Sequence, residues 1–96
     1  MVDRRSVFSQ RDAIIRLAHH HGAHDVRLFG SLARGDATEA SDVDLLVRFD
    51  PDRSLLDHGE LLMDLRDLLG CKVDVVSEGA LQGRFGRIIR REAIPL

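Results

Sequence analysis

The sequence predicts an α/β fold in which a small mixed β-sheet of about three strands packs with about four helices, in the order α-β-α-β-α-β-α. Segments with apolar residues every three or four positions alternate with short segments in which every second residue is apolar. This alternation is typical of layered α/β domains. The 96 residues leave room for one domain, and 44% hydrophobic with 31% charged residues is a globular composition.

Helical periodicity predicts three longer helices. The first begins after Ser9, where Ser9 and Asp12 form an S-x-x-D capping pattern, and it stops at Gly22. The second spans residues 54–69, and the last begins at Ala80 or Leu81 and ends at Arg91. On the last helix, four apolar residues share one side: Leu81, Phe85, Ile88 and Ile89.

Strands are predicted at Val26–Phe29, Val43–Phe49 and Val73–Val76. The middle segment is the clearest, because Val, Leu, Val and Phe alternate with other residues from position 43 onward. Gly30 ends the first strand, and Ser31 to Arg34 form one helical turn after it. Pro51 begins the turn after the second strand.

Composition and charge exclude several classes of protein. The formal net charge of −2 argues against a dedicated DNA- or RNA-binding domain, because such domains are usually strongly basic. No apolar run approaches the roughly 20 residues that span a bilayer, and residues 1–10 hold no apolar signal-peptide stretch. We therefore expect a cytoplasmic protein with no membrane partner. Cys71, the single cysteine, is interpreted as a packing residue.

Three aspartates form the strongest functional signal. Asp42 and Asp44 lie two residues apart in a strand, so both side chains leave the same face. Adjacent carboxylates repel each other unless a cation lies between them, and Mg²⁺ prefers such oxygen ligands. Asp74, in the run V-D-V-V, completes a cluster if its strand neighbours the second strand. Three converging acids can hold two metal ions that clamp the attacking and leaving oxygens at a phosphorus atom.

A turn rich in phosphate-binding groups precedes these aspartates. Gly30 and Ser31 lie where a strand becomes a helix, so that a close backbone, free amides and a hydroxyl can meet phosphate oxygens. Arg34, one turn further on, can pair with a terminal phosphate through its guanidinium group. Ser41 is a further candidate nucleotide-binding residue, although Ser41 and Gly35 could equally be loop formers only.

A shared site constrains the order of the strands. Gly30 ends the first strand and Asp42 begins the second, so these strands must be antiparallel to bring both residues to one edge. The helix between the second and third strands suits a right-handed parallel crossover, which brings Asp74 to the same edge. The sheet is therefore predicted to be mixed.

Three motifs in order, G-S-L-A-R-G-D, S-D-V-D-L-L-V and V-D-V-V after a leucine-rich helix, resemble the minimal nucleotidyltransferase (MNT) group of the DNA polymerase β-like superfamily. The resemblance covers residues 26–76 and, weakly, the E-A-I-P-L ending. It implies a single nucleotidyltransferase domain over residues 1–96.

The resemblance also implies roles for individual residues. Gly30 and Ser31 resemble the phosphate-binding pair, and Arg34 matches the arginine of the motif. Asp42 and Asp44 resemble the metal ligands, and Asp74 resembles the third carboxylate, which helps to activate the attacking hydroxyl.

The resemblance implies a reaction and a partner as well. With two Mg²⁺ ions, AMP or another nucleoside monophosphate would be transferred from the triphosphate, such as ATP, to a hydroxyl group. MNT proteins are commonly the antitoxin partners of HEPN-domain RNase toxins, which implies AMP transfer to a tyrosine of such a toxin. About 20 residues follow the third strand, too few for an acceptor-binding domain, so we expect the acceptor in another polypeptide of a homo- or hetero-oligomer.

Two alternatives stay open: a binding-only antitoxin, and a small-molecule (aminoglycoside-type) nucleotidyltransferase completed by a partner subunit.

Two further groups of residues receive plain structural interpretations. His19, His20, His21 and His24 are interpreted as a solvated helix end, because consecutive helical residues point in different directions and cannot easily share one ion. An arginine row on the last helix is interpreted as an exposed face; its members are Arg84, Arg87 and Arg91.

Overall fold

A computed structural model of the chain describes residues 2–36 and 42–96. It confirms the predicted α/β class with a mixed sheet, and it adds a short fourth strand to the three predicted. In chain order the elements are α1 (Arg4–Ser9), α2 (Arg11–His20), β1 (Ala23–Phe29), α3 (Gly30–Arg34), β2 (Val43–Phe49), α4 (Leu55–Leu69), β3 (Val73–Ser77), a 3₁₀ turn (Glu78–Ala80), α5 (Gly83–Glu92) and β4 (Ile94–Pro95).

The sheet has the strand order β3-β2-β1-β4 in the described part of the chain. β1 and β2 are antiparallel, and β2 and β3 are parallel, as the shared-site argument predicted. β4 is antiparallel to β1, with Ile94 opposite Leu28. At two residues, β4 is too short to give a periodic signal in the sequence.

The two faces of the sheet carry different amounts of core. Alternate residues of β2, Val43, Leu45 and Val47, are buried in the main core together with residues of α2 and α4. On the other face, a smaller cluster joins Leu46 to Phe29 and to Ile89 of α5. Because side chains alternate along a strand, Asp42 and Asp44 share this second face with Leu46. The face that carries the aspartates is therefore the one covered by α5.

The N-terminal helical region differs from the prediction of one helix capped by Ser9 and Asp12. Two helices are present, and Ser9 ends the first of them. The cap lies upstream: Asp3 accepts a hydrogen bond from the Ser6 amide at 2.8 Å, and the Ser6 hydroxyl accepts one from the Asp3 amide at 3.0 Å. The hydroxyl of Ser9 instead donates to the carbonyl of Ser6, so it is turned back along α1. After the break, Gln10 precedes α2 as its N-cap residue, and its side chain makes no capping hydrogen bond.

The interpretation of the histidines as a solvated helix end is wrong for His21. Its side chain is buried, and Nε2 lies 2.6 Å from Oδ2 of Asp64 on α4. Nδ1 lies 3.8 Å from Oε2 of Glu60 on the same helix. His21 is thus a polar contact between α2 and α4, which the sequence does not show because both acids lie some forty residues downstream. His24 also has a partner, Asp50, at 2.9 Å.

The last helix starts later than predicted. The 3₁₀ turn ends at Ala80, the backbone of Leu81 and Gln82 is extended, and α5 runs from Gly83 to Glu92 instead. Within residues 2–36 and 42–96, no helix has both the length and the apolar character needed to cross a bilayer.

Helix α4 follows the prediction, with Ser54 capping it and Gly70 directly after it. Ser54 and Asp57 form a reciprocal capping box at its start. Gly59 lies inside the helix on an exposed surface, and an added Cβ there would have no heavy atom within 4 Å. Glycine at this position therefore costs backbone entropy without allowing any close packing.

We expect Gly59→Ala to raise the free energy of unfolding by about 1 kcal/mol, since alanine is the better helix former by that amount. Urea denaturation followed by circular dichroism measures the change. A lower midpoint for the variant would show that Gly59 serves a contact that the helix alone does not explain.

Candidate active site

The predicted carboxylates converge at one end of the sheet. Phe29, the last residue of β1, is paired with Asp44 of β2, and Asp44 is paired in turn with Asp74 of β3. Residues paired in register project from the same face, and Asp42, two positions before Asp44, projects from that face as well. The valines that alternate with these aspartates are buried in the main core. The structure thus brings Asp42, Asp44 and Asp74 together beside the turn between β1 and α3.

The charges at this site are only partly balanced. Partial burial, followed by the negative charges of Asp74 and Asp42, raises the pKa of Asp44 to about 6. The positive charge of Arg34 acts in the opposite direction but does not cancel these effects. Lys72 offsets part of the charge of Asp42, with Nζ lying 3.7 Å from Oδ2. A raised carboxyl pKa inside an acidic cluster marks a place where a cation would be bound favourably.

The turn leaves no room for a side chain at position 30, which is occupied by Gly30. Its φ of 77° is in the left-handed region, which disfavours residues with a Cβ. A Cβ built there would lie 2.3 Å from Oδ2 of Asp44. The glycine therefore allows the backbone of the turn to pass directly against the carboxylate of Asp44.

Sequence reasoning missed Glu92, the last residue of α5, whose carboxylate contacts the turn between β1 and α3. Oε1 of Glu92 accepts a hydrogen bond from the amide of Gly30 at 3.3 Å, and both of its oxygens lie 3.3 Å from Nη1 of Arg34. Nε of Arg34 donates to Asp36 at 3.2 Å. Two donors that the sequence assigned to phosphate binding thus already converge on the oxygens of one anion.

An open cavity of about 460 Å³ lies beside these groups. Motif residues line one wall: Gly30, Ser31, Arg34, Asp42 and Asp44. Helix α5 forms the other wall. The residues predicted to bind phosphate and the acidic side chains therefore line the same concave space.

The other predicted site residues are placed as follows. Asp74 is exposed beside Asp44, and Ser31 is half-buried at the cavity. Ser41 lies outside the described residues, so its nucleotide-binding role stays a prediction. Cys71 is partly buried, and burial raises the pKa of its thiol, as expected for a packing residue.

The donor set fits a hard divalent cation that is shared with a nucleotide. Carboxylate oxygens are the ligands such ions prefer, and Asp42 and Asp44 supply them from adjacent positions on one face. In the part of the chain that the structure describes, no group of three or more Asp, Glu, His or Cys side chains is close enough to hold a metal ion by itself. Mg²⁺ at nucleotide sites is usually held by one or two carboxylates, with phosphate oxygens and water completing the coordination.

Comparison with known proteins agrees with this arrangement. Residues 13–95 match the family described as "Nucleotidyltransferase domain". The chain is 40% identical over 78 residues to "Protein adenylyltransferase MntA" of Thermococcus cleftensis, covering 81% of this chain and 79% of that protein. It is 37% identical over 81 residues to "Putative protein adenylyltransferase MJ0435" of Methanocaldococcus jannaschii, covering 84% and 87%. A solved structure described as "Structure of putative minimal nucleotidyltransferase" superimposes with a TM-score of 0.89 at 49% identity, covering 99% of this chain and 97% of that chain.

Proposed function

The chain belongs to the nucleotidyltransferase domain family, and on that premise we propose that it transfers AMP from ATP to a hydroxyl group of a partner protein. The names of the relatives from T. cleftensis and M. jannaschii support a protein as the acceptor. The MNT resemblance supports a HEPN-domain toxin as that protein, with a tyrosine as the modified residue. The chain would then be the antitoxin that silences the toxin.

One observation carries the proposal: Asp42, Asp44 and Asp74 share one face beside a turn whose donors already bind an anion. Partial burial of the Asp44 carboxylate beside two other acids raises its pKa to about 6 and destabilises the folded protein. A purely structural role for the cluster would offer no benefit to offset that destabilisation. Catalysis gives these carboxylates a use, because phosphate chemistry at a cation needs closely spaced oxygen ligands.

The turn between β1 and α3 would bind the phosphates. Glu92 supports this role, since its carboxylate already accepts hydrogen bonds from the Gly30 amide and the Arg34 guanidinium. A phosphate oxygen carries the same negative charge and accepts the same hydrogen bonds. Ser31 adds a hydroxyl at the cavity wall.

Asp42 and Asp44 are the residues that would hold the Mg²⁺ ion bound to the nucleotide, and Asp74 would supply an oxygen ligand to the second ion. The ion, when bound, supplies neutralisation of the phosphates and polarisation of the α-phosphate. The chain's own residues hold the nucleotide in place and fix its phosphates against the turn. Catalysis then depends on positioning and on compensating the negative charge.

Asp74 would act on the acceptor. It is exposed on β3, next to Asp44, where a hydroxyl from another protein can reach it. Its carboxylate would accept the proton of that hydroxyl as the oxygen forms a bond to the α-phosphorus. The bond between the α-phosphorus and the bridging oxygen breaks, and pyrophosphate leaves.

Transfer of label from ATP labelled at the α-phosphate tests the proposal. We expect the HEPN-domain partner to become labelled in the presence of the wild-type chain and Mg²⁺. The double variant Asp42→Asn with Asp44→Asn should lower the labelling rate by at least about a thousandfold. The control double variant Asp52→Asn with Asp67→Asn removes the same charge from two exposed positions and should keep full activity.

Other outcomes would favour the alternatives. A double variant that still neutralises the toxin fully, while no label reaches it, would identify a binding-only antitoxin. Label on an aminoglycoside instead of on protein would identify a small-molecule nucleotidyltransferase.

A further inference from the structure

Two apolar side chains of α5 are exposed at the candidate active site. Phe85 is 71% exposed and Ile88 is 48% exposed, although their helix neighbour Ile89 is buried. Both line the cavity that contains Gly30 and Asp44. Single exposed apolar residues are common on protein surfaces. Here, however, an aromatic and an aliphatic side chain form one wall of a site whose opposite wall is polar and charged.

The helix arranges these residues in line with the phosphate-binding donors. Phe85, Ile88 and Glu92 are spaced by three and four residues, so they lie on one face of α5. Glu92 is the end of this row that contacts Gly30 and Arg34. Phe85 lies seven residues away, which is about 10 Å along a helix. This separation is comparable with the reach of a nucleotide from its phosphates to its base.

We propose that Phe85 and Ile88 form the binding surface for the nucleobase, with Phe85 as its stacking partner. The inference rests on the proposed function and assigns the apolar wall of the same site. The two ends of the α5 row lie at different parts of the site: Glu92 lies beside the Gly30 and Arg34 donors that would bind the phosphates, and Phe85 lies at the apolar end. Stacking of a base on an aromatic ring stabilises binding without requiring a hydrogen-bond partner for that base.

The position of α5 favours the nucleobase over the acceptor as the occupant. α5 packs against α3, and its Ile89 contacts Phe29 of β1 and Leu46 of β2. The cavity wall is therefore joined to the strands that carry the phosphate-binding turn. Asp74, which would meet the acceptor, lies on β3, beyond β2 in the sheet.

Binding measurements that separate the base from the phosphates test the inference. Isothermal titration calorimetry with Mg²⁺ gives Kd values for α,β-methylene ATP and for inorganic tripolyphosphate. We expect Phe85→Ala to raise the Kd of the ATP analogue about tenfold, within the range found for loss of one base–aromatic stack. The Kd of tripolyphosphate should stay unchanged, and Phe85→Trp should restore binding of the analogue.

The control is Leu56→Ala on α4, which removes a side chain of similar exposure (70%) far from this cavity and should change neither Kd. Equal binding of the analogue by wild type and Phe85→Ala would overturn the inference, as would equal weakening of both ligands. Normal analogue binding with slower transfer to the partner would assign Phe85 to the acceptor instead. A wild type that binds the analogue but transfers nothing would refute the proposed function alone.

Discussion

Replacing Asp44 with asparagine is expected to abolish nucleotidyl transfer and, at the same time, to stabilise the metal-free protein above pH 6. Transfer should fall by at least about a thousandfold, because the amide cannot supply the charged oxygen that a divalent cation requires. The gain in stability has a separate cause. Burial and the neighbouring charges of Asp74 and Asp42 oppose ionisation of Asp44 in the folded protein, and asparagine does not ionise.

The pH window follows from the two pKa values of Asp44. Its ordinary value is 3.8, and its value in the folded protein is about 6. Below pH 3.8 the carboxyl group is protonated in both states and costs nothing. Between these values the unfolded chain loses the proton first, so stability falls as the pH rises, and above about 6 the full cost remains. For a partly exposed group that solvent screens, this cost is about 1 to 2 kcal/mol.

Thermal and urea unfolding in the presence of a chelator, from pH 4 to pH 8, measure this effect. The free energy of unfolding of Asp44→Asn should exceed that of the wild type at pH 8, and the difference should become small as the pH falls to 4. Asp52→Asn, at an exposed turn position, is the matched control and should follow the wild type at every pH. A variant that is less stable than the wild type at pH 8 would show that Asp44 already has a compensating partner.

Gly30→Ala is expected to lower the rate of nucleotidyl transfer strongly while lowering the free energy of unfolding only modestly. Its left-handed φ costs about 1 to 2 kcal/mol for a residue with a Cβ. The added methyl group would also lie 2.3 Å from Oδ2 of Asp44. The end of a side chain can turn away, so the carboxylate of Asp44 is displaced rather than the backbone. A displacement of about 1 Å at a reacting centre lowers a rate about a hundredfold.

Gly35→Ala provides the matched control. Gly35 has a similar φ of 83°, but the nearest atom to an added Cβ is 3.9 Å away, in the guanidinium of Arg4. The two variants should lose similar free energies of unfolding, whereas only Gly30→Ala should lose transfer activity. Equal activity in both variants would show that the position of Asp44 tolerates the added methyl group.

The parts of the fold that sequence reasoning found are those with a local signal. The alternation from Val43 to Phe49 defines β2, and the Ser54 cap with Gly70 defines α4. The strand directions followed from the requirement of a shared site, because Gly30 and Asp42 lie at the same edge of the sheet only if their strands are antiparallel. The same requirement placed Asp74 beside Asp44, and the register shows them paired.

Glu92 could not be found in the same way because its position depends on a two-residue strand. Ile94 of β4 pairs with Leu28 of β1, and Glu92 is the last residue of α5, two positions before Ile94. The short strand therefore holds the end of α5 close to Gly30. The E-A-I-P-L ending was part of the resemblance, yet nothing in its composition indicates that it adds a strand. The contact between Glu92 and Arg34 therefore depends on tertiary structure, which the local sequence does not indicate.

The contact between α2 and α4 escaped prediction for a similar reason. A run of three histidines suggests exposure, and only packing shows that His21 faces Asp64. Ser9 likewise matched a capping pattern, but Asp3 and Ser6 made a cap earlier in the chain. Several capping patterns occur in this part of the sequence, and the sequence alone does not show which of them forms in the folded protein.

Intact-mass spectrometry of the partner protein tests the catalytic role of the carboxylate cluster most directly. The proposed HEPN-domain partner is incubated with ATP, Mg²⁺ and either the wild-type chain or its Asp74→Asn variant, while the Kd of α,β-methylene ATP is measured for both. We expect the wild type to add the mass of one or more adenylyl groups, and the variant to bind the analogue with a similar Kd but leave the partner unmodified. A partner modified equally fast by Asp74→Asn would contradict the assignment of Asp74 to the acceptor hydroxyl. A partner whose mass never changes would contradict adenylyl transfer to protein.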